Sequence, residues 1–344
     1  MPIDIKIPEK NKKAGLSYAL SPDGIELPVV DVTHPAFALK RSEAEDARLL
    51  EAFVQDAQRR KKTPGFVIRL MLRLFARRSL IVRGMFASGG SYLDGMTTYL
   101  LKLGPEMLGA GYSDAIDRKI SRSLPSVSVR VRLEDMARLI SAGLAPELQA
   151  APRRPLQLIN IAGGPAMDSL NALILLRRQD AALLEGRAIQ IHVLDLRQEG
   201  SDFGARALEA MRAEGGALQG LDIQFHAHPY DWDRHAMLQE ILEGISPGDA
   251  ILAASSEGGL FDYGSDGAIV ANLRCLHGHM GANGKVSGSV TRSDGPGAYL
   301  KDTRQFALRP RDLEDFRKLA EKAGWKIDTV LTSALYFNLR LAKM

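Results

Sequence analysis

Two adjacent glycines, Gly163 and Gly164, sit where a short apolar run gives way to a helical pattern. Residues 156–162 form a short apolar run of the kind a buried strand shows. Beyond Pro165, Leu170, Leu173, Ile174 and Leu176 fall at helical spacing. A strand that turns through glycines into a helix brings backbone close to a ligand with no Cβ in the way. That is the opening unit of nucleotide-binding α/β folds. Just past the turn, Asp168, Ser169 and Asn171 either meet a ligand at the helix N-terminus or simply cap it. Asp195 closes a second apolar run, IQIHVLD, and ligands of open α/β sheets bind outside such carboxyl ends. The stretch ASSEGGLFDYG crowds Glu257, Asp262 and two aromatics, Phe261 and Tyr263, into a long loop. His226 and His228 alternate as on one strand face, which would allow two metal ligands. No carboxylate stands at a fixed spacing to join them, and no metal is expected.

These residues need a scaffold, and the second half of the chain has the pattern of one. Apolar runs at 156–162, 189–195, 221–227, 249–254, 284–290, 325–331 and 334–341 read as strands. Helical patterns at 203–212, 233–243, 267–277 and 311–323 separate most of them. Such alternation implies a parallel sheet with helices on both faces. Only the last two runs are close enough in sequence for an antiparallel hairpin. The first 150 residues lack this texture. An irregular arm to about residue 40 precedes helices expected at 42–60, 66–86, 92–103 and 113–123. Residues 127–132 could be extended or could enter a helix over 133–142, and three prolines in 145–155 mark a boundary. The expectation is a mainly helical domain, 1–150, that caps the site or makes a homodimer, and a catalytic domain, 151–344.

Composition narrows the class. The 344 residues are 45% hydrophobic and 25% charged, as in soluble globular proteins. No apolar run approaches the length that spans a bilayer, so no membrane partner is expected. The first residues lack the apolar core of a secretory signal, and the single cysteine, Cys275, excludes an intramolecular disulfide; the expected compartment is the cytoplasm. Cys275 lies in a helical run and reads as core. The net charge of +4 is uneven: between Asp56 and Asp94 there are nine basic residues and no acid. Apolar residues interleave with these arginines at helical spacing, which favours an amphipathic helix over a polyanion site.

The frame Asn160-Ile161-Ala162-Gly163-Gly164-Pro165-Ala166 resembles the acidic-x-G-x-G-x-G motif of class I S-adenosylmethionine-dependent methyltransferases. Ala162 and Ala166 stand for two of its glycines and Asn160 for its acid. The resemblance covers about residues 156–344. It implies a Rossmann-like α/β fold, a seven-stranded, mostly parallel sheet ending in an antiparallel strand pair. It also implies S-adenosylmethionine as cofactor and a small-molecule methyl acceptor. By the same resemblance, Ala162, Gly163, Gly164 and Pro165 would cradle the cofactor, with Asp168 and Ser169 at its methionine end. Asp195, with Leu196 beside it, would accept from the ribose hydroxyls. Tyr230, Asp231 and Trp232 would meet adenine, although the usual acid is displaced here, and Ser255 and Ser256 would lie near the reactive group.

The acceptor is expected between the 255–263 loop and the helix at 92–103, lined by Tyr92, Glu257, Phe261, Asp262 and Tyr263. Glu257 and Tyr99 are the candidate catalytic groups. Methyl transfer asks mainly for alignment and exclusion of water, with a base only where the acceptor must lose a proton. Two other readings are weighed. A nucleic-acid methyltransferase would use the basic block, but the fourth strand lacks an Asn-Pro-Pro-Tyr or Asp-Pro-Pro-Tyr tetrapeptide. A nicotinamide-dependent oxidoreductase would want G-x-G-x-x-G, and its third glycine falls on Met167.

Overall fold

The computed structural model describes residues 5–39, 41–87, 93–109, 115–245, 248–301 and 307–344. A small antiparallel hairpin comes first, β1 (Tyr18–Leu20) and β2 (Glu26–Pro28). The helices α1 (Glu43–Lys62), α2 (Gly65–Phe75), α3 (Leu80–Ala87), α4 (Gly95–Leu103), α5 (Ala115–Ser121) and α6 (Leu124–Ala150) follow. The remainder alternates: β3 (Leu156–Ile161), α7 (Met167–Gln179), β4 (Ile189–Asp195), α8 (Gln198–Arg212), β5 (Ile223–Pro229), α9 (Ala236–Glu243) and β6 (Ile251–Ser256). Then come α10 (Leu260–Tyr263), α11 (Asp266–His279), β7 (Lys285–Thr291), α12 (Ala298–Lys301), α13 (Leu313–Lys322), β8 (Trp325–Thr332) and β9 (Tyr336–Lys343).

The seven long strands form one sheet in the order β5-β4-β3-β6-β7-β9-β8. Strands β3 to β7 are parallel, and β9 runs antiparallel between β7 and β8. This is the strand arrangement that the sequence resemblance implies. Every residue of β3 and β6 is buried, because both sheet faces are covered; the polar ones, Gln157, Asn160, Ser255 and Ser256, all take hydrogen-bond partners. Leu156 and Leu158 enter one core with α6, α7 and α8, while Ile159 and Ile161 enter the other with α9, α11 and α13. In β7, Gly288 leaves the space that the Phe261 ring fills; a Cβ there would lie 2.1 Å from it.

The first 150 residues are not laid beside this sheet so much as onto it. Leu27, Val29, Val30 and Tyr99 share one core with Leu158 and Leu173. The Asn171 side chain accepts from the Val32 amide at 2.8 Å and donates to the Val30 carbonyl at 3.0 Å. Helix α6 differs most from expectation. Residues 127–132 and 145–150 belong to one 27-residue helix, with Pro146 inside it, and the chain turns only at 151–155. Buried residues occur all round α6, since it packs against α4 on one side and α7, β7 and β9 on others. The helix expected at 66–86 is two, α2 and α3, joined where Ser79 caps Val82 and donates to buried Asp117. Among the described residues, no helix is long and apolar enough to cross a membrane.

Candidate active site

The turn after β3 takes an unusual backbone. Ala162, Gly164 and Ala166 have φ of +55°, +56° and +53°, the left-handed region in which glycine alone is at ease. These are the three glycine positions of the motif frame. At two of them the chain takes a glycine-favoured backbone although it carries alanine. Beneath the turn, Asn160 is fully buried and its amide donates to Asp168 at 2.7 Å, Ser169 at 3.2 Å and Ser255 at 3.1 Å. One side chain thus ties β3 to the start of α7 and the end of β6. Burial pushes the Asp168 carboxyl up, and nearby Glu257 pushes it further.

Above the turn is a cavity of about 210 Å³. Ala162, Gly163 and Gly164 form its floor, and Asp195 and Leu196 its rim. Asp195 accepts from the Gly164 amide at 3.0 Å and from the Arg197 amide at 3.1 Å, one bond to each carboxylate oxygen. Each oxygen keeps a further lone pair for a ligand. Desolvation raises the Asp195 pKa, against the pull of these amides. Tyr230, Asp231, Trp232 and Asp233 line one end. Tyr230 is held by its hydroxyl to Asn272, which also donates to the Trp232 carbonyl at 2.9 Å. Glu257, Gly258, Gly259 and Tyr263 line the other end.

The opposite wall is α4 and the residues before it: Leu93, Asp94, Gly95, Thr98 and Lys102. Asp94 is the N-cap, accepting from the Thr97 amide at 2.8 Å, and the Tyr263 hydroxyl hydrogen-bonds the Leu93 backbone. Lys102 is buried and forms an ion pair with Glu257. Arg132 of α6 reaches the other Glu257 oxygen at 2.9 Å and Asp262 at 3.5 Å, and its guanidinium lies 4.7 Å over the Tyr336 ring. Two cations and two carboxylates thus balance within the protein. Burial works against the Arg132 charge, but Glu257 and Asp262 outweigh it and hold the guanidinium protonated. Burial raises Asp262, which accepts from the Thr291 amide at 2.7 Å.

Several expected site residues lie elsewhere. Tyr99 does not face the cavity: it is fully buried, packed 4.5 Å from the Phe203 ring, with its hydroxyl donating to the Pro28 carbonyl. Helical phase explains this, since the face of α4 turned to the cavity carries Gly95, Thr98 and Lys102. Phe261 packs on Phe316 at 4.9 Å, and Asp262 serves Arg132 and Thr291 rather than the cavity. Pro165, Asp168, Ser169, Ser255 and Ser256 lie behind the lining; Ser256 accepts from the Leu260 amide at 3.0 Å. Tyr92 lies outside the described residues. Sequence reading missed Lys102, Arg132, Asp94 and Thr98. Lys102 had one available signal, a single charge in the run MTTYLLKL. Among the described residues, no three His, Cys, Asp or Glu converge on a metal position. Instead His192, His226 and His228 stack, with His192 and His228 nitrogens 3.2 Å apart.

No family model matches this sequence, and no curated protein matches it. Among solved structures, the chain is similar to a possible exported protein from Bordetella parapertussis. The two are 18% identical at a TM-score of 0.55, over 88% of this chain and 97% of that one. It is also similar to the mitomycin 7-O-methyltransferase MmcR, 14% identical at a TM-score of 0.40 over 75% of this chain and 65% of that one. A third is a 1,6-didemethyltoxoflavin-N1-methyltransferase from Burkholderia thailandensis, 17% identical at a TM-score of 0.38 over 61% of this chain and 78% of that one. The first likeness establishes a shared fold; the other two are too distant to add weight.

Proposed function

We propose that this chain is an S-adenosylmethionine-dependent methyltransferase acting on a small molecule. One observation carries the reading: the left-handed triplet at Ala162, Gly164 and Ala166 presents the Gly164 amide to Asp195 at the rim of a cavity. That is a cradle for an adenosine ligand, and the donor set fits one. Asp195 would accept from vicinal ribose hydroxyls, and Tyr230 and Trp232 would flank the base. When bound, the cofactor supplies an electrophilic methyl carbon on a sulfonium.

The chain's own residues would do the rest by placement. Helix α4 closes the cavity opposite the glycine turn, so that Leu93, Thr98 and Lys102 keep bulk water from the acceptor. Glu257 has both oxygens engaged by Lys102 and Arg132, which makes it an anchor for Lys102. The Lys102 ammonium, held there, can orient an anionic or polar acceptor at the cavity wall.

The test is calorimetry with S-adenosylhomocysteine, NAD and NADP in turn. The reading expects S-adenosylhomocysteine alone to bind and to stabilise the fold, by about 2.7 kcal/mol at a hundredfold excess over Kd. Binding of NAD or NADP with no response to S-adenosylhomocysteine would overturn it.

A further inference from the structure

Away from the cavity, α2 presents an apolar face to solvent. Phe66, Leu70, Met71, Leu74 and Phe75 are 65%, 58%, 46%, 51% and 38% exposed. Together they are five of the eight large hydrophobic residues exposed among the described residues. They recur at intervals of four and one, so they form one strip along the helix. Isolated exposed apolar residues need no explanation, but a contiguous strip marks a contact surface.

The surroundings of the strip identify the contact. Residues 57–93 carry nine basic residues and no acid. Arg73, Arg77 and Arg78 are exposed on and just after α2, and Arg59, Arg60 and Lys62 are exposed at the end of α1. A second copy of this chain docked through the same strip would bring two such basic clusters together. A nucleic acid would meet the cations and could stack a base on Phe66, but it would leave Leu70, Met71 and Leu74 uncovered. A surface that takes up both features has anionic head groups over an apolar interior. We infer that α2 is an interfacial helix that seats the protein on an anionic phospholipid bilayer. Its apolar strip enters the head-group boundary and its arginines contact lipid phosphates. No spanning helix is needed, so an expectation of no membrane partner drawn from the lack of a long apolar run does not bear on this surface. The inference is independent of the methyltransferase reading.

The experiment is co-sedimentation of the full chain with vesicles of phosphatidylcholine alone or mixed with phosphatidylserine, at low and high salt. The mixed vesicles should bind the protein roughly tenfold or more tightly than the neutral ones, and salt should weaken that binding. A Phe66→Ser, Leu70→Ser, Leu74→Ser variant should lose binding with its thermal transition unchanged, because these side chains are exposed. Arg73→Gln with Arg77→Gln and Arg78→Gln should abolish the preference for phosphatidylserine. Phe66→Trp should show blue-shifted emission on mixed vesicles. Equal binding to both vesicles, or none, would overturn the inference. So would a stable dimer in sedimentation velocity that the serine variant converts to monomer, or nucleic-acid binding that survives the serine substitutions.

Discussion

Gly95 and Gly164 meet backbone against backbone: a Cβ on either would stand 2.7 Å from the Cα of the other. Helix α4 therefore rests directly on the glycine turn, and this contact sets the height of the cavity between them. A methyl group at either position forces the two elements apart. Gly95→Ala should lower stability by about 1–3 kcal/mol, as overpacking does, and should weaken S-adenosylhomocysteine binding in the same variant. Thermal denaturation and calorimetry read the two effects; a normal melting temperature would mean that α4 docks elsewhere.

Asp195→Ala should leave the fold intact and cost about 1.5–3 kcal/mol of S-adenosylhomocysteine affinity, the value of hydrogen bonds to a charged group. Calorimetry at neutral pH checks this. Wild-type affinity would make Asp195 a turn residue that serves only the Gly164 and Arg197 amides.

Lys102→Met removes one of two cations from buried Glu257. Breaking a buried pair from one side costs about 3–5 kcal/mol, whereas replacing both charges can be nearly neutral. Lys102→Met with Glu257→Gln should therefore recover much of the loss in urea denaturation, although Arg132 then keeps only Asp262. Additive losses in the two single variants would show that the pair is not coupled.

Tyr99→Phe strands the Val30 amide and the Pro28 carbonyl, which the hydroxyl now satisfies. The expected loss is about 1–3 kcal/mol of stability with an unchanged Kd for S-adenosylhomocysteine. A selective loss of binding would return Tyr99 to the site.

Burial and the neighbouring His226 and His228 lower the His192 pKa from 6.5 to about 4. The unfolded chain binds this proton near 6.5, the folded chain not until about 4. Stability from neutral His192 is thus complete above pH 6.5 and is lost as pH falls toward 4. Urea midpoints across that window should decline with acidification, and His192→Gln should flatten the decline. An equal slope in the variant would assign it to other groups.

The strands were legible because covered strands are mainly apolar, and in β3, β4 and β6 apolar residues outnumber polar ones. The third strand lies two residues later than its apolar run suggests: β5 is an edge, and one of its faces carries exposed Gln224 and two half-buried histidines. Helix α6 was illegible for a related reason. Burial on several sides removes the periodic polar stripe, and what remains, SVSVRVR, alternates like a strand. The glycine turn and Asp195 could be read because a local motif encodes them. Lys102 and Arg132 could not, since their partner Glu257 lies 155 and 125 residues away. Nothing near a buried charge in sequence announces its counterion.

Asn171 grips Val30 and Val32 across 141 and 139 residues of chain. At a synthesis rate of about 5–20 residues per second, Asn171 is made roughly seven to thirty seconds after Val30. Until then Val29 and Val30, buried in the finished molecule, lack the α7 side of their core. The arm therefore cannot complete its packing until α7 has been made.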